Sequence, residues 1–514
     1  MNNGLANRYG FLAVAVAAAL FSIFPLTDTD IWWHLACARE WVQTWTPTRL
    51  PVVNVHEYFQ RVVGLVYGIG GAPLLVAFKA VLWGAVFALF LLPQKKPCVE
   101  CQSKSASLAG VTLAAIVFFI FRYHFEIRPV LFSLLFLGIY WNLLPHIFRV
   151  SHLAPRVSHL APRTYFLLLF VLVIQWLWCK CQGLYILGPL FAVAVLVSAW
   201  LDAWRLEIKL SKGLRLFHVG VVLALFAMPF LHSEGLNLFL YPFGLLDRLV
   251  GMSPSAAVFA SEIAENRSPF TLLMAGENVL ESVVMIALCG AGLVIAVWNA
   301  LKGRLGLMPI CLFATAVLTL VAERNFVLFM PVFLYGVVMF CNSLGPRLEA
   351  WGSKKITSHH LLIIFFCLLF FLLGLWARSL LAYDSSMIAS QRVPVDAAAW
   401  MAAHPHEGRL FNDDRAGGYL ELVNPDDSVY IDGRFILKTA DFFERYLHYA
   451  DDPPLFMRDA DSLHIGRAIF PLRYYARWGK LVSALETHED WNVVYRDSLY
   501  IVLNHIFPNL VSER

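Results

Sequence analysis

The chain has 514 residues, of which 59% are hydrophobic and 15% charged, with a mean hydropathy of +0.64 and a formal net charge of +4. A soluble chain carries roughly a quarter charged residues. One water-soluble core is therefore excluded, and most of this chain is expected in lipid.

A spanning helix needs about 20 mostly apolar residues. Eleven segments qualify: 9–27, 70–92, 108–122, 129–148, 165–179, 184–201, 214–231, 280–299, 305–321, 326–341 and 360–381. Two of them, 108–122 and 165–179, are short, which leaves a merged or half-inserted segment open. The first span has only Arg8 ahead of it and no small-residue cleavage site behind it, so it reads as an anchor. The expected fold is thus a polytopic α-helical membrane region of about eleven spans over residues 1–383, with a first outer loop at 28–60. Charged residues then become dense, and 384–514 reads as a soluble domain of ordinary size.

Lys and Arg mark the cytoplasmic loops. One alternate set is rich in them (Arg8, Lys95, Lys96, Arg149, Lys209, Lys212, Lys302, Lys354), and the opposite set is poorer (Arg39, Arg122, Arg128, Lys180, Arg324). This places the N-terminus in the cytoplasm and the C-terminal domain outside. Cys98 and Cys101 form a lone CxxC, which reads as part of a short polar loop in the absence of a second pair. The tandem "RVSHLAPRVSHLAP" at 149–162 reads as a neutral loop duplication.

Polar residues gather in the opposite loops: "PLTDTDIWWHLACARE", "VNVHEYF", "FRYHFEIRP", "WCKCQG", "SEGLNLFLYP" and "VAERNF". Ionisable residues at membrane depth are costly and usually face a protein-lined cavity, so one polar cavity opening outwards is expected. Ile31, Leu35, Ala38, Val42 and Trp45 share a helical face, which predicts an interfacial helix over 31–45 with Trp32 and Trp33 among the headgroups. Asp28 and Asp30 would sit at its start. As a pair they suit general-base catalysis or a hard-metal site for Mg²⁺ or Mn²⁺; the plainer reading of Asp30 is an N-cap. Arg128 and Arg324 beside apolar spans suit a phosphate, the alternative being snorkelling to headgroups.

In the C-terminal domain, 395–404, 440–450 and 477–488 read as helices. "GRLFND" and "SVYIDGRF" read as strands around a turn at Gly417–Gly418, and "WNVVYRD" with "LYIVL" as a hairpin. Asp432 and Arg434 either contact an acceptor or form an internal pair that fixes a turn.

An acidic pair after the first span, a long first outer loop and a soluble outer C-terminal domain together resemble the C-type (GT-C) membrane glycosyltransferases. Among these the chain is most similar to a group of bacterial membrane proteins whose recurring stretches are "DTDIWWHLACARE", "VHEYF", "IRPVLFSLL", "ERNFVLFMP", "GRLFNDDRAGGYL", "VYIDGRF" and "WNVVYRDSLYIVL". The resemblance implies sugar transfer from a polyprenyl-phosphate donor, in a bacterial inner membrane, to an outer glycan, lipid or protein. It casts Asp28 or Asp30 as the base and Arg128 and Arg324 as donor-phosphate ligands. His34 and Glu57 would line the cavity or help ligate a metal. Tyr58 and Cys37 depart from the group, which has Trp and Gly there. No nucleotide fingerprint is visible, and no nucleic-acid partner is expected. The alternative classes are a transporter or flippase of an anionic or lipid-linked substrate and a non-catalytic envelope scaffold. The one-sided polar residues and the lack of repeats argue against a transporter.

Overall fold

The computed structural model describes residues 3–49, 52–91, 104–149, 162–250, 253–303, 306–351, 358–474 and 476–507. Cys98, Cys101 and residues 150–161 of the tandem repeat lie outside the described residues. The chain divides into two compact units, one of residues 1–24, 76–243 and 263–383 and the other of 25–75, 244–262 and 384–514. The C-terminal unit thus includes the stretch after the first apolar helix, which the sequence reading had grouped with the membrane region.

The first half of the chain runs α1 (Asn3–Phe21), α2 (Asp30–Ala36), α3 (Glu57–Leu91), α4 (Lys104–Ile120), α5 (Pro129–Ile147), α6 (Pro162–Trp178), α7 (Leu187–Arg205) and α8 (Lys212–Ala227). Three helices follow where the sequence reading placed only loop: α9 (Gly235–Val250), α10 (Pro254–Glu262) and α11 (Pro269–Met274). Then come α12 (Val279–Leu301), α13 (Leu307–Val321), α14 (Phe326–Trp351) and α15 (Ser358–Leu381). Every one of the predicted apolar segments falls on one of these helices. Among the described residues, six helical stretches are long and apolar enough to cross a membrane: Glu57–Leu91, Pro129–Ile147, Gly183–Arg205, Lys212–Leu231, Val279–Leu301 and Glu323–Phe340. Their outward side chains suit a lipid-facing surface. Val81 on α3 and Val294 on α12 are 67% and 66% exposed, a costly arrangement in water and a favourable one in hydrocarbon.

Helix α3 starts well before the predicted 70–92 span and breaks at its predicted start. Gly71 has φ +62° and ψ −157°, a conformation open to glycine alone, and Pro73 removes one more backbone donor. Within the first unit, α4 packs on α1, α14 and α15, and α5 packs on α6 and α7. The α5–α6 contact carries polar ties: the Tyr140 hydroxyl donates to the Val171 carbonyl at 2.9 Å, and Trp178 Nε1 to Ser133 Oγ at 2.8 Å. Such ties hold helices together where no hydrophobic drive between them exists.

The second unit holds α16 (Val395–Ala403), β1 (Arg409–Asn412), α17 (Asp414–Val423), α18 (Ala440–His448), α19 (Pro453–Leu463), β2 (Ile465–Pro471), α20 (Gly479–Glu486), β3 (Trp491–Arg496) and β4 (Tyr500–His505). The sheet order is β1-β2-β4-β3, with β1 parallel to β2 and the other pairs antiparallel. β3 and β4 are the expected hairpin. β2, buried along its whole length, was missed. Phe411, Tyr430, Tyr446, Phe456, Phe470 and Trp478 form an aromatic core on one side of this sheet.

Three local expectations are corrected here. "SVYIDGRF" is not a strand, and Gly417–Gly418 lie inside α17 rather than in a turn. A Cβ on Gly418 would come within 2.7 Å of the Trp33 backbone nitrogen, so the glycine permits α2 and α17 to touch. The helix predicted over 31–45 ends at Ala36, and Trp32 and Trp33 are buried in protein, not placed among headgroups. Beyond it, residues 45–49 lie along the C-terminal domain. Trp45 N donates to Val429 O at 3.0 Å, Trp45 Nε1 to Leu410 O at 2.8 Å, and Arg49 N to Leu437 O at 2.7 Å.

Candidate functional site

The predicted residues fall into two groups, one in each unit. In the second unit, Thr29 is the N-cap residue of α2 and makes no side-chain cap bond, and Asp30 is the first helical residue. Asp30 is therefore not the cap. Asp28 is buried, and its Oδ1 accepts the Asp30 backbone N–H at 3.3 Å. Asp30 is half-buried, and its Oδ1 accepts from Trp33 Nε1 at 3.3 Å. Its carboxylate lies directly on Gly433, where any Cβ would collide with Oδ1.

His34 is buried against Trp33, with the His56 and Phe59 rings at 5.1 and 5.0 Å. Glu57 pairs with the exposed Arg61 one turn on, at 2.6 Å. Among the described residues, no three His, Cys, Asp or Glu side chains come together as a metal-ligating group. His34 and Glu57 thus do not complete a cage with the two acids among the described residues.

Asp432 and Arg434 form the internal pair. Arg434 Nε donates to Asp432 Oδ2 at 2.8 Å, its Nη2 to Glu421 Oε1 at 2.7 Å and its Nη1 to Val42 O at 2.6 Å. The guanidinium lies 5.4 and 5.0 Å from the Trp33 and Trp41 rings, a cation–π arrangement on both. All three charged side chains are buried, and Arg434 bonds both acids and the 37–42 stretch. Burial tends to raise the Asp432 pKa, but Arg434 outweighs it and holds the carboxyl below its ordinary value; Glu421, buried beside Asp432, is pushed up. Lys438 sits nearby, donating to Thr44 Oγ1 and Thr46 Oγ1, each at 2.7 Å. Sequence reading missed both Glu421 and Lys438.

In the first unit, the loop before α5 and the loop before α14 meet a third loop, 263–268, between α10 and α11. Arg128 Nη1 donates to Glu265 Oε2 at 2.6 Å, and Arg324 Nη1 to Asn266 Oδ1 at 2.9 Å. His124 Nε2 lies 3.4 Å from Glu281 Oε2, and Glu323 N donates to Arg267 O at 3.0 Å. Partial burial pulls the Glu265 pKa up, but the charges of Arg128, Arg324 and His124 prevail and hold it at about 2. For His124, burial disfavours the imidazolium, and Glu281, Glu323 and Glu265 more than offset this, so its pKa is raised. "FRYHFEIRP" and "VAERNF" thus share one patch, and "WCKCQG" meets "SEGLNLFLYP" through a Lys180–Glu234 ion pair. The reading missed Glu265 and Asn266, although "EIAENRS" is a charged run between apolar segments. It also missed Lys79, buried within α3, where Nζ donates to Phe24 O at 3.1 Å.

Comparisons with solved structures bear on this architecture of membrane-length helices and a C-terminal four-stranded sheet. No family model matches the chain, and no curated protein matches it in sequence. Solved structures do. One is the Archaeoglobus fulgidus oligosaccharyltransferase AglB in complex with an inhibitory peptide and a dolichol-phosphate. It has a TM-score of 0.54 and 14% identity, covering 93% of this chain and 72% of that one. A second is the oligosaccharyltransferase of the same organism tethered to an acceptor peptide containing the NVT sequon. It has a TM-score of 0.56 and 15% identity, covering 98% of this chain and 75% of that one. A third, with Zn and sulfate, has a TM-score of 0.51 and 14% identity, covering 98% and 74%. The chain is therefore similar in fold to these oligosaccharyltransferases along nearly its whole length.

Proposed function

We propose that the chain is a membrane glycosyltransferase that moves a sugar from a polyprenyl-phosphate donor to an acceptor glycan, lipid or protein. We place it in the cytoplasmic (inner) membrane, with about eleven spans, the N-terminus inside and the C-terminal unit outside; the Lys and Arg distribution supports this orientation. The observation that carries the reading is the convergence of Arg128 and Arg324, each just ahead of an apolar helix, on the neighbouring residues Glu265 and Asn266. Guanidinium forks match phosphate oxygens, and a lipid-linked phosphate must be met at the membrane boundary. The fold likeness to proteins solved with a dolichol-phosphate and with an acceptor peptide agrees with it.

In the reaction, the acceptor heteroatom attacks the anomeric carbon as the glycosyl–oxygen bond to phosphate breaks. Polyprenyl phosphate leaves with the bonding electrons, stabilised by Arg128 and Arg324. Asp28 or Asp30 takes the acceptor proton. Asp30 is the more accessible of the two, and Asp28 orients it through the backbone N–H it accepts.

The test is sugar transfer by the purified full chain in lipid, using radiolabelled polyprenyl-phosphate sugars and a membrane-extract acceptor pool, with and without EDTA. Asp28→Asn and Asp30→Asn are each compared with wild type. The expected outcome is transfer by wild type and a loss of about 10²–10⁴-fold in the variant lacking the base. Donor binding without turnover, indifferent to both substitutions, would sink the enzyme reading in favour of transport or scaffolding. A loss of transfer in EDTA would add a Mg²⁺ or Mn²⁺ ion held with substrate oxygens.

A further inference from the structure

In the first unit the arginine patch already holds an anion. Glu265 receives a hydrogen bond from Arg128 and feels the charges of Arg324 and His124, while Arg324 donates to the next residue, Asn266. A carboxylate and a phosphate offer the guanidinium the same thing, paired oxygens bearing negative charge. A phosphate offers more of both.

Two neighbouring ion pairs involve this segment. Arg267, two residues on from Glu265, grips Glu277 through both terminal nitrogens, at 3.1 and 2.5 Å. Arg128 Nη1 reaches Glu265 Oε2 at 2.6 Å. Glu265 lies in the single turn Ala264–Asn266 and is half-buried, and Arg324 is exposed. Downstream the chain is fixed by the Ser268 cap of α11, whose side chain accepts from Thr271 N. A carboxylate carried on a short, half-buried turn next to a capped helix can move out without unravelling α11.

We propose that Glu265 is a resident anion in the donor-phosphate site and that the donor binds by exchange with it. The incoming phosphate takes Arg128 and Arg324, His124 supplies a third positive group, and the Glu265 carboxylate moves out to solvent. The inference rests on the glycosyltransferase reading for the identity of the anion, a polyprenyl phosphate. Its effect is selective: a headgroup that cannot bring its phosphate oxygens to both arginines does not repay the loss of the Arg128–Glu265 pair.

The test is equilibrium binding of a short-chain polyprenyl phosphate to the full chain in phosphatidylcholine nanodiscs. The matching polyprenol, inorganic phosphate and phosphatidylglycerol serve as competitors. Glu265→Gln keeps the shape and removes the charge, and is expected to tighten binding roughly tenfold. Glu265→Asp keeps the charge and is expected to stay near wild type. Arg128→Gln is expected to weaken binding about tenfold, and the double variant to bind like Arg128→Gln, because the glutamate acts through that arginine. Binding that depends on Arg128 but is unchanged or weaker in Glu265→Gln overturns the exchange and leaves the enzyme reading standing. If polyprenyl phosphate never binds in an Arg128-dependent way, or inorganic phosphate or phosphatidylglycerol competes equally well, the donor reading itself falls.

Discussion

Only a hydrogen atom separates the Gly433 backbone from the carboxylate of Asp30, and a methyl group there would land on Oδ1. Gly433→Ala therefore acts on the acid before it acts on the fold. Overpacking at one position costs about 1–3 kcal/mol, whereas a displacement of about 1 Å in a reacting group can cost roughly 10²-fold in rate. The expected outcome is a fall of tenfold or more in sugar transfer with a nearly unchanged thermal unfolding midpoint, measured on the same preparation. A parallel collapse of both would show that Gly433 serves packing alone. The residue types of the candidate site were legible in the sequence: Asp28, Asp30, Arg128 and Arg324 stand out as charges at the ends of apolar runs. Their partners were not, because Glu265, Asn266 and Gly433 are 137, 58 and about 400 residues distant from the groups they meet, and only the tertiary fold brings them together.

At the scale of elements, the apolar helices and the β3–β4 hairpin were readable because burial in lipid and a tight turn both leave local patterns. β2 was hidden because its "IGRAIFP" carries Gly, Arg and Pro, which mimic a loop. The buried Arg467 in it is satisfied by Asn504 Oδ1 and His404 O at 2.8 and 2.7 Å, contacts no local pattern announces. Trp32 and Trp33 misled for a related reason: tryptophan suits a headgroup layer, but α17 covers these two with protein. The tether between the 44–47 stretch and the C-terminal domain predicts a pH effect. Burial pushes the Lys438 pKa down from 10.5 to about 8. The unfolded chain keeps this proton up to the ordinary lysine value, and the folded one releases it near 8, so the group's contribution to stability rises with pH between about 8 and 10.5. Lys438→Met is expected to flatten that rise in the unfolding midpoint measured across this window. An identical slope in wild type and variant would assign the effect elsewhere.

For the whole molecule, the division into units does not follow the order of the chain. Residues 25–75 and 384–514 belong to one compact unit, although residues 76–383, most of them in the other unit, lie between them. A chain ending at residue 383 keeps Asp28 and Asp30 and loses Leu410, Val429, Arg434 and Lys438, which hold the 37–49 stretch in place. The expected outcome for that truncation is inserted protein with no sugar transfer and with rapid limited proteolysis between residues 37 and 49. Protection of this stretch equal to that of the full chain would mean that it folds unaided.

The same long tie sets a clock on biogenesis. Arg434 reaches Val42 across 392 positions of sequence, and ribosomes extend a chain by about 5–20 residues per second. The acidic pair is synthesised among the first residues, and the 37–49 stretch beside it waits roughly 20 s to over a minute for the residues that hold it. A copy terminated before Arg434 never gains them.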